Sequence, residues 1–247
     1  MSKKNNNTVN PEEIKHFAKL ADTWWNPDGP FKPLHNLNPI RLEYIKNRIC
    51  EHFSRDFNSL KPFEGLRLLD LGCGGGLLTE PMSRLGAEVV GADAAKKNID
   101  IAKSHAKTSG LDIDYIHSTA EELAEWGEKF DIILNMEVIE HVANVDLFMK
   151  SCGLLLKNNG VMTIATLNRT MKSWLLAIVG AEYILQWLPK GTHNWKNFIK
   201  PSELTNYANL AGFKLKDLSG MQYAPLSNSW KLSKDLSVNY LGFYIKT

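Results

Sequence analysis

The sequence is poor in the features that mark several classes of protein. Only three of its 247 residues are cysteine, and Cys50, Cys73 and Cys152 form no C-x-x-C pair, which argues against a zinc or redox motif. The net charge is +2 and no block of lysine and arginine resembles a nucleic-acid stripe. The polar start, MSKKNNNTVNPEE, lacks the apolar centre of a secretory signal. These absences predict a cytoplasmic globular protein that binds no nucleic acid.

The chain is long enough for one large domain. We expect a disordered tail over residues 1–10 and a single domain over 11–247. Its predicted parts are a helical cap (11–60), a core (66–167), an insertion (171–191) and a C-terminal part of the sheet (201–247). In the cap, one helix is predicted over 11–25 and a second from Pro39 to about Phe57.

The core alternates between short apolar runs and helical patterns, which predicts a doubly wound, mostly parallel α/β sheet. Strands are predicted near residues 66–71, 88–93, 113–117, 130–135 and 160–166. Helices are predicted near residues 76–85, 95–109, 119–125 and 144–157. Two further runs near the C-terminus, FKLKDLSGMQY and LSVNYLGFYIKT, read as a final antiparallel pair of strands.

A glycine-rich turn follows the first predicted strand in the stretch LLDLGCGGG, residues 68–76. Strand, glycine turn and helix together are typical of a nucleotide-cofactor site. The dinucleotide fingerprint G-x-G-x-x-G does not fit, because its third glycine would fall on Leu77 or Thr79. The pattern present is G-x-G-x-G at Gly72, Gly74 and Gly76. Asp93 ends the next strand, and a carboxylate there can accept hydrogen bonds from both ribose hydroxyls.

These motifs resemble those of the class I methyltransferases that use S-adenosylmethionine. LLDLGCGGG, GADAA and FDIILNMEVIEHV stand in the order and spacing of that family. The resemblance implies a Rossmann-like sheet of seven strands and S-adenosylmethionine as cofactor. The cofactor-binding residues that follow from the motifs and the resemblance are Arg41, Asp70, Gly72, Gly74, Asp93 and Met136.

A narrower resemblance begins near the N-terminus. The run FAKLADTWWNPDGPFKPLHNLNPIRLEYI is similar to the ubiquinone-biosynthesis O-methyltransferases. This family implies methylation of a phenolic hydroxyl on polyprenyl catechol or demethylubiquinol intermediates, at two steps of the pathway. Arg41 is then expected to clamp the cofactor carboxylate. Phe31, Lys32 and His35 lie in a loop that could close over the substrate or could simply pack on the domain.

The stretch NMEVIEHV offers two ways to remove the phenolic proton. If a helical turn follows strand four, Glu137, Glu140 and His141 share one face. The resemblance implies that they bind a divalent cation such as Mg²⁺, which would lower the pKa of the reacting hydroxyl. The alternative is that His141 is a catalytic general base and the glutamates only favour a helix start.

The segment MKSWLLAIVGAEYILQWLPKG, residues 171–191, is too interrupted by polar residues to span a membrane. Its tryptophans and neighbouring lysines instead predict either a helix on an anionic membrane surface or a cap packed on the core. A peripheral position on the inner face of the cell membrane would bring the chain to its polyprenyl substrate and to other enzymes of the pathway.

Three alternatives to this function remain open. The first is a methyltransferase that acts on another small phenol or acid. The second is an NAD-dependent Rossmann enzyme, which Leu77 disfavours. The third is a non-catalytic, membrane-associated binding module that keeps the cofactor fold.

Overall fold

The computed structural model describes residues 7–176, 194–224 and 229–247. Eight helices and eight strands are assigned in those ranges. The helices are α1 (Pro11–Leu20), α2 (Lys32–His52), α3 (Thr79–Arg84), α4 (Lys96–Thr108), α5 (Ala120–Glu125), α6 (Val145–Leu155), α7 (Met171–Ser173) and α8 (Pro201–Leu210). The strands are β1 (Arg67–Leu71), β2 (Glu88–Asp93), β3 (Asp114–His117), β4 (Phe130–Met136), β5 (Leu156–Leu167), β6 (Phe213–Ala224), β7 (Ser229–Ser233) and β8 (Asn239–Lys246).

The strands form one sheet in the order β3-β2-β1-β4-β5-β8-β6-β7. Strands β1 to β5 pair in parallel, while β8 runs antiparallel to both β5 and β6. The predicted doubly wound, mostly parallel sheet is therefore confirmed. An eighth strand, β7, extends it beyond the seven that the sequence led us to expect. Because β6 is parallel to β5, the carboxyl ends of six strands meet at one edge.

Neighbouring side chains of β1 build two cores on opposite faces of the sheet. Leu69 packs with Ile133 and helices α5, α6 and α8, whereas Leu68 packs with Ile132 and helices α2 and α3. Consecutive side chains of a strand point to opposite faces, so a fully apolar run is what a doubly covered strand requires. All three cysteines are buried and unpaired within these cores and beside them.

Helix α2 begins at Lys32 and ends at His52, so the predicted start at Pro39 was wrong. Pro39 lies inside the helix, where it removes one backbone donor. Burial of one face, with Leu37, Tyr44 and Ile45, offsets that loss. The sequence pattern placed a boundary at a proline that tertiary packing overrides.

Within the described residues, none of the helices combines the length and the apolar character that crossing a bilayer would require. Most of the predicted insertion, from residue 177 onward, lies outside the described residues. So does most of the predicted tail, of which only residues from Asn7 onward are described.

Candidate active site

The glycine turn after β1 takes backbone conformations that favour glycine. Gly72, Gly74 and Gly76 all have positive φ, at 77°, 54° and 90°. A Cβ on Gly74 would stand 2.4 Å from the ring of Trp24, and one on Gly72 would stand 2.3 Å from Val138. Because these positions lack a Cβ, Trp24 and Val138 can pack against the turn. The sequence analysis predicted only the close approach of a cofactor.

Asp93 lies at the carboxyl end of β2, where it holds the glycine turn in place. Its Oδ2 accepts a hydrogen bond from the amide of Gly74 (2.9 Å), and its Oδ1 accepts one from the amide of Ala95 (2.7 Å). Burial raises the pKa of the Asp93 carboxyl, and these amide bonds oppose the rise. A carboxylate offers about four acceptor positions. Asn98 takes a third position, on Oδ1, so Asp93 can hold the turn and still accept one ribose hydroxyl through Oδ2.

Two side chains that the sequence analysis missed connect Asp93 to the N-terminal segment. Asn98 donates from Nδ2 to Asp93 Oδ1 (3.2 Å) and accepts from Trp24 Nε1 (3.0 Å). Trp24 stacks on Phe31 with 3.7 Å between ring centroids. Asparagine in a helix carries no sequence signal for this role. The paired tryptophans were visible only as part of the family resemblance.

Asp70 does not reach the cavity. It is 3% exposed and accepts a hydrogen bond from Thr79 Oγ1 at 2.5 Å, which ties β1 to α3 behind the turn. Burial raises the pKa of its carboxyl to about 6. The expectation that Asp70 binds the cofactor directly has no support in this geometry, because the strand directs its side chain into the protein.

Arg41, which the sequence analysis expects to clamp the cofactor carboxylate, lines the cavity and pairs there with a protein carboxylate. The Arg41 side chain is 3% exposed and forms an ion pair with Glu137, which has a positive φ of 56°. Arg41 Nε has no hydrogen-bond partner among the described residues. Because Nε is also shielded from solvent, a ligand carboxylate would have to reach the terminal nitrogens of the guanidinium, beside Glu137.

Glu137, Glu140 and His141 do not converge as the metal prediction required. Glu140 is buried and accepts a hydrogen bond from Thr166 Oγ1 at 2.9 Å. His141 Nδ1 faces Glu13 Oε2 at 3.0 Å. Burial raises the pKa of Glu140 to about 8, and the charge of Glu137 adds to this shift.

The local backbone explains why the expected shared face is absent. After β4 the chain forms a single 3₁₀ turn, Ile139–His141, instead of the α-helical turn that i, i+3 and i+4 spacing assumes. Across residues 7–176, 194–224 and 229–247, no group of three His, Cys, Asp or Glu side chains is arranged to hold a metal ion.

A cavity of about 830 Å³ opens at the carboxyl edge of the sheet. The candidate site residues that line it are Arg41, Gly72, Gly74, Asp93, Met136, Glu137 and His141. Glu13, which the sequence analysis did not single out, lies in the same wall. An acid in the first turn of a helix reads as a response to the helix dipole, so nothing in the sequence marked it.

The loop residues divide between the two predicted roles. Phe31 lines the cavity. Lys32 instead pairs with Asp28 at the surface (3.0 Å), and His35 Nε2 contacts the carbonyl of Trp24 (2.9 Å). Both contacts lie within residues 24–35, so Lys32 and His35, in the first turn of α2, connect the helix to the loop that precedes it.

Comparisons with known proteins agree with this geometry. A family model described as a methyltransferase domain matches residues 42–218. The ubiquinone biosynthesis O-methyltransferase of Bartonella bacilliformis is 60% identical over 241 residues, which cover 98% of this chain and 97% of that protein. The enzyme of the same name from Brucella anthropi is 57% identical, over 95% of this chain and 94% of that protein.

Solved structures extend the likeness to the fold. Magnesium protoporphyrin IX methyltransferase from Synechocystis PCC 6803, crystallised with bound SAH, aligns with a TM-score of 0.64 at 16% identity. The alignment covers 94% of this chain and 95% of that one. The matching domain model and the near full-length identity show that the chain belongs to the ubiquinone biosynthesis O-methyltransferases, and its fold is that of the class I methyltransferases.

Proposed function

We propose that this chain transfers the methyl group of S-adenosylmethionine to phenolic hydroxyls of polyprenyl catechol and demethylubiquinol intermediates, at two steps of ubiquinone biosynthesis. One observation carries the proposal: a carboxylate–imidazole pair, Glu13 and His141, lies in the same cavity as the glycine turn and Asp93. An imidazole oriented by a carboxylate beside a cofactor cavity is the arrangement that general-base catalysis uses.

The cofactor end of the cavity has the donors and acceptors that S-adenosylmethionine needs. Asp93, Arg41 and the glycine turn all line the cavity, and we assign Asp93 to a ribose hydroxyl, Arg41 to the carboxylate, and the glycine turn to the close approach of the ligand to the backbone. S-adenosylmethionine supplies a methyl group already activated by its positively charged sulfur. The protein therefore has to align the acceptor oxygen and to remove its proton.

His141 is the residue we assign to proton removal. A phenol titrates near ~10, so most of it is protonated at neutral pH. With a proton on Nδ1, the ring donates to Glu13 and Nε2 is the basic nitrogen of the imidazole. His141 then takes the phenolic proton as the oxygen–methyl bond forms and the sulfur–methyl bond breaks. Glu13 acts through His141, as a positioning residue.

A divalent cation held by Glu137, Glu140 and His141 is the second candidate for lowering the pKa of the phenol. Arg41 already neutralises Glu137, Thr166 donates to Glu140, and Glu13 faces His141. These side chains as arranged do not fit a metal ion, and no step is assigned to one.

Steady-state kinetics with a short-tailed polyprenyl catechol and with the matching demethylubiquinol tests the proposal. His141→Ala should lower kcat by about 10²- to 10⁴-fold for both substrates, the usual worth of a general base. Added imidazole should restore part of that loss, whereas Glu13→Gln should lose activity that imidazole does not restore.

Three outcomes would contradict parts of this proposal. Methylation of only one of the two substrates would contradict activity at two pathway steps. Full activity of His141→Ala would contradict the role of His141 as general base. Activity that disappears in chelator and returns with Mg²⁺ would transfer proton removal from the base to a metal ion.

We further propose that the chain associates with the inner face of the cell membrane through residues 171–191. The described part of this segment begins with exposed apolar side chains: Met171 is 70%, Trp174 is 40% and Leu175 is 53% exposed. Lys172, which pairs with Asp235, stands among them, and Lys190 lies in the same stretch of sequence; lysines near a membrane favour an anionic surface. A polyprenyl tail stays in the bilayer, so a membrane-bound enzyme shortens the path of the ring to the cavity. Other enzymes of the pathway would meet the chain at the same surface.

A further inference from the structure

The cavity extends far beyond the part that the cofactor can fill. Asp93 ends β2, whereas Met221 and Trp230 lie on β6 and β7 near the opposite side of the sheet, and all three line the cavity. Five strand spacings separate β2 from β6 in the sheet order. At about 4.8 Å per spacing, the cavity runs roughly 24 Å along the carboxyl edge. A cofactor bound at the glycine turn covers the β2 to β4 part of this edge.

The far wall is built from one apolar face of the hairpin formed by β6 and β7. Tyr223 pairs with Trp230, and Met221 pairs with Leu232, so these four side chains point to the same side. The rings of Tyr223 and Trp230 are 5.4 Å apart. Met221, Leu232 and Trp230 also pack in the cluster that contains Leu37 of α2.

Charge divides the cavity in the same way. Arg41 and Asp93 offer hydrogen bonds to a polar ligand at the cofactor end. At the far end, Gln222 points to the other side of β6 from Met221, and the Asn239 side chain already accepts a hydrogen bond from the amide of Met221 (3.1 Å). The hairpin face contributes a methionine, a tyrosine and a tryptophan. At its outer rim, Lys172 forms an ion pair with Asp235 (2.6 Å) beside Leu176, which is 50% exposed. The far end thus offers an apolar channel that ends at a polar rim.

We propose that this hairpin face, Met221, Tyr223 and Trp230, binds the first isoprene units of the substrate's polyprenyl tail. An isoprenoid chain is branched, apolar and without hydrogen-bonding groups, which matches this wall. Apolar side chains elsewhere in the lining, such as Phe31 against Trp24 and Phe17 against His141, stand beside the cofactor end and the proposed base. The inference rests on the proposed function for the identity of the substrate. It adds the site that distinguishes a tailed phenol from a free one, and it gives the eighth strand a role.

Two measurements test the tail site. The first compares KM for a catechol without a tail and for the same catechol with three isoprene units. In the wild type KM should fall with tail length, and Trp230→Ala should reduce that ratio by about tenfold or more, as loss of an apolar pocket contact does. Tyr223→Ala, on the facing strand, should reduce it in the same direction. Trp126→Ala, at an exposed position on another face (59% exposed), should keep the wild-type ratio.

The second measurement is calorimetric binding of a triprenyl alcohol, which has no phenol to methylate. Binding by the wild type that Trp230→Ala abolishes would support the tail site even if no catechol is methylated, and in that case the proposed function alone would fail. A wild-type KM that is independent of tail length would overturn the inference. The inference would also be overturned if Trp230→Ala and Tyr223→Ala changed KM equally for the tailed and the tailless substrate. Thermal unfolding checks that both variants are folded.

Discussion

At the scale of single residues, the carboxylate of Asp93 has two functions. It accepts hydrogen bonds from the amides of Gly74 and Ala95, and it lines the cavity where a ribose would lie. The sequence predicted the second task and could not predict the first, because the amide partners depend on how the turn folds back. A substitution at this position must therefore affect the turn as well as the ligand.

Asp93→Ala should weaken the binding of S-adenosylmethionine about tenfold or more, since hydrogen bonds to a charged group contribute roughly 1.5–3 kcal/mol. The melting temperature should fall as well, because two amides lose their acceptor. Calorimetric titration and thermal unfolding measure the two effects. Asp100→Ala, an exposed change on α4, is the control. An unchanged affinity for the cofactor would contradict the assignment.

Asp70 predicts a pH effect on stability. Burial raises the pKa of its carboxyl from 3.8 to about 6. The folded state then binds a proton more tightly than the unfolded state, so the stability this proton gives is present below pH 3.8 and is lost as pH rises to 6. The difference between these two pKa values corresponds to about 3 kcal/mol.

Asp70→Asn has no such proton to lose. Its free energy of unfolding, relative to the wild type, should therefore rise between pH 4 and pH 6 in chemical denaturation. Asp114→Asn, at an exposed position on β3, should show no comparable trend. A difference that stays constant across this range for Asp70→Asn would show that the native carboxyl titrates normally.

At the scale of elements, the strands were easier to predict than what joins them. The runs around Leu69, Val90 and Ile133 are apolar because both faces of those strands are covered, and that pattern is local. Strand β7 was missed, since SWKLS is short and carries its apolar residues at only two positions. The 3₁₀ turn at Ile139–His141 was read as α-helix, because spacing alone does not distinguish the two. Boundaries and turns depend on partners distant in sequence.

Helix α1 shows such a partner directly. The amide and hydroxyl of Thr8 both donate to Glu121 (3.0 Å and 2.7–2.9 Å), and Thr8 is 4% exposed. This anchor precedes the helix that carries Glu13 to His141. Thr8 and Glu121 are 113 residues apart, and nothing in the sequence indicates that they contact each other.

Glu121→Ala should leave two buried donors of Thr8 without their acceptor, at a cost of about 1–3 kcal/mol. We expect faster proteolysis before Pro11 and a lower kcat, because α1 no longer holds Glu13 against His141. Timed digestion and methyl-transfer assays measure both. Glu125→Ala, exposed on the same helix α5, is the matched control, and an equal response of the two variants would argue against the anchor.

At the scale of the whole molecule, the cavity, the hairpin and the segment from Met171 share one side of the structure. Leu176 and Lys172 line the cavity and belong to the segment proposed to contact membrane. A substrate with its tail in a bilayer could then enter without leaving the lipid for water. The alternation of strands and helices in the sequence predicted the sheet. The common position of the cavity, the hairpin and the segment from Met171 depends on the register of all the strands, which the sequence does not show.

Flotation with liposomes tests this arrangement. The wild type should float with anionic vesicles, and salt should weaken binding because each nearby Lys contributes about 1 kcal/mol by electrostatics. Replacing Trp174, Leu175 and Ile178 by serine should abolish flotation while thermal stability barely changes. Leu60→Ser, at an equally apolar but distant position (91% exposed), should float normally. A wild type that never floats, or serine variants that unfold, would favour a cap on the core.

The burial of every cysteine has a practical consequence for spectroscopy. Cys50 is 4%, Cys73 is 7% and Cys152 is 0% exposed, and burial raises the pKa of each thiol. Thiolates are the species that maleimides and spin-label reagents attack. The cysteines of the native protein should therefore react little with these reagents. A single Leu60→Cys change would accept one probe selectively, so dye or spin pairs could follow the molecule without first removing its own cysteines.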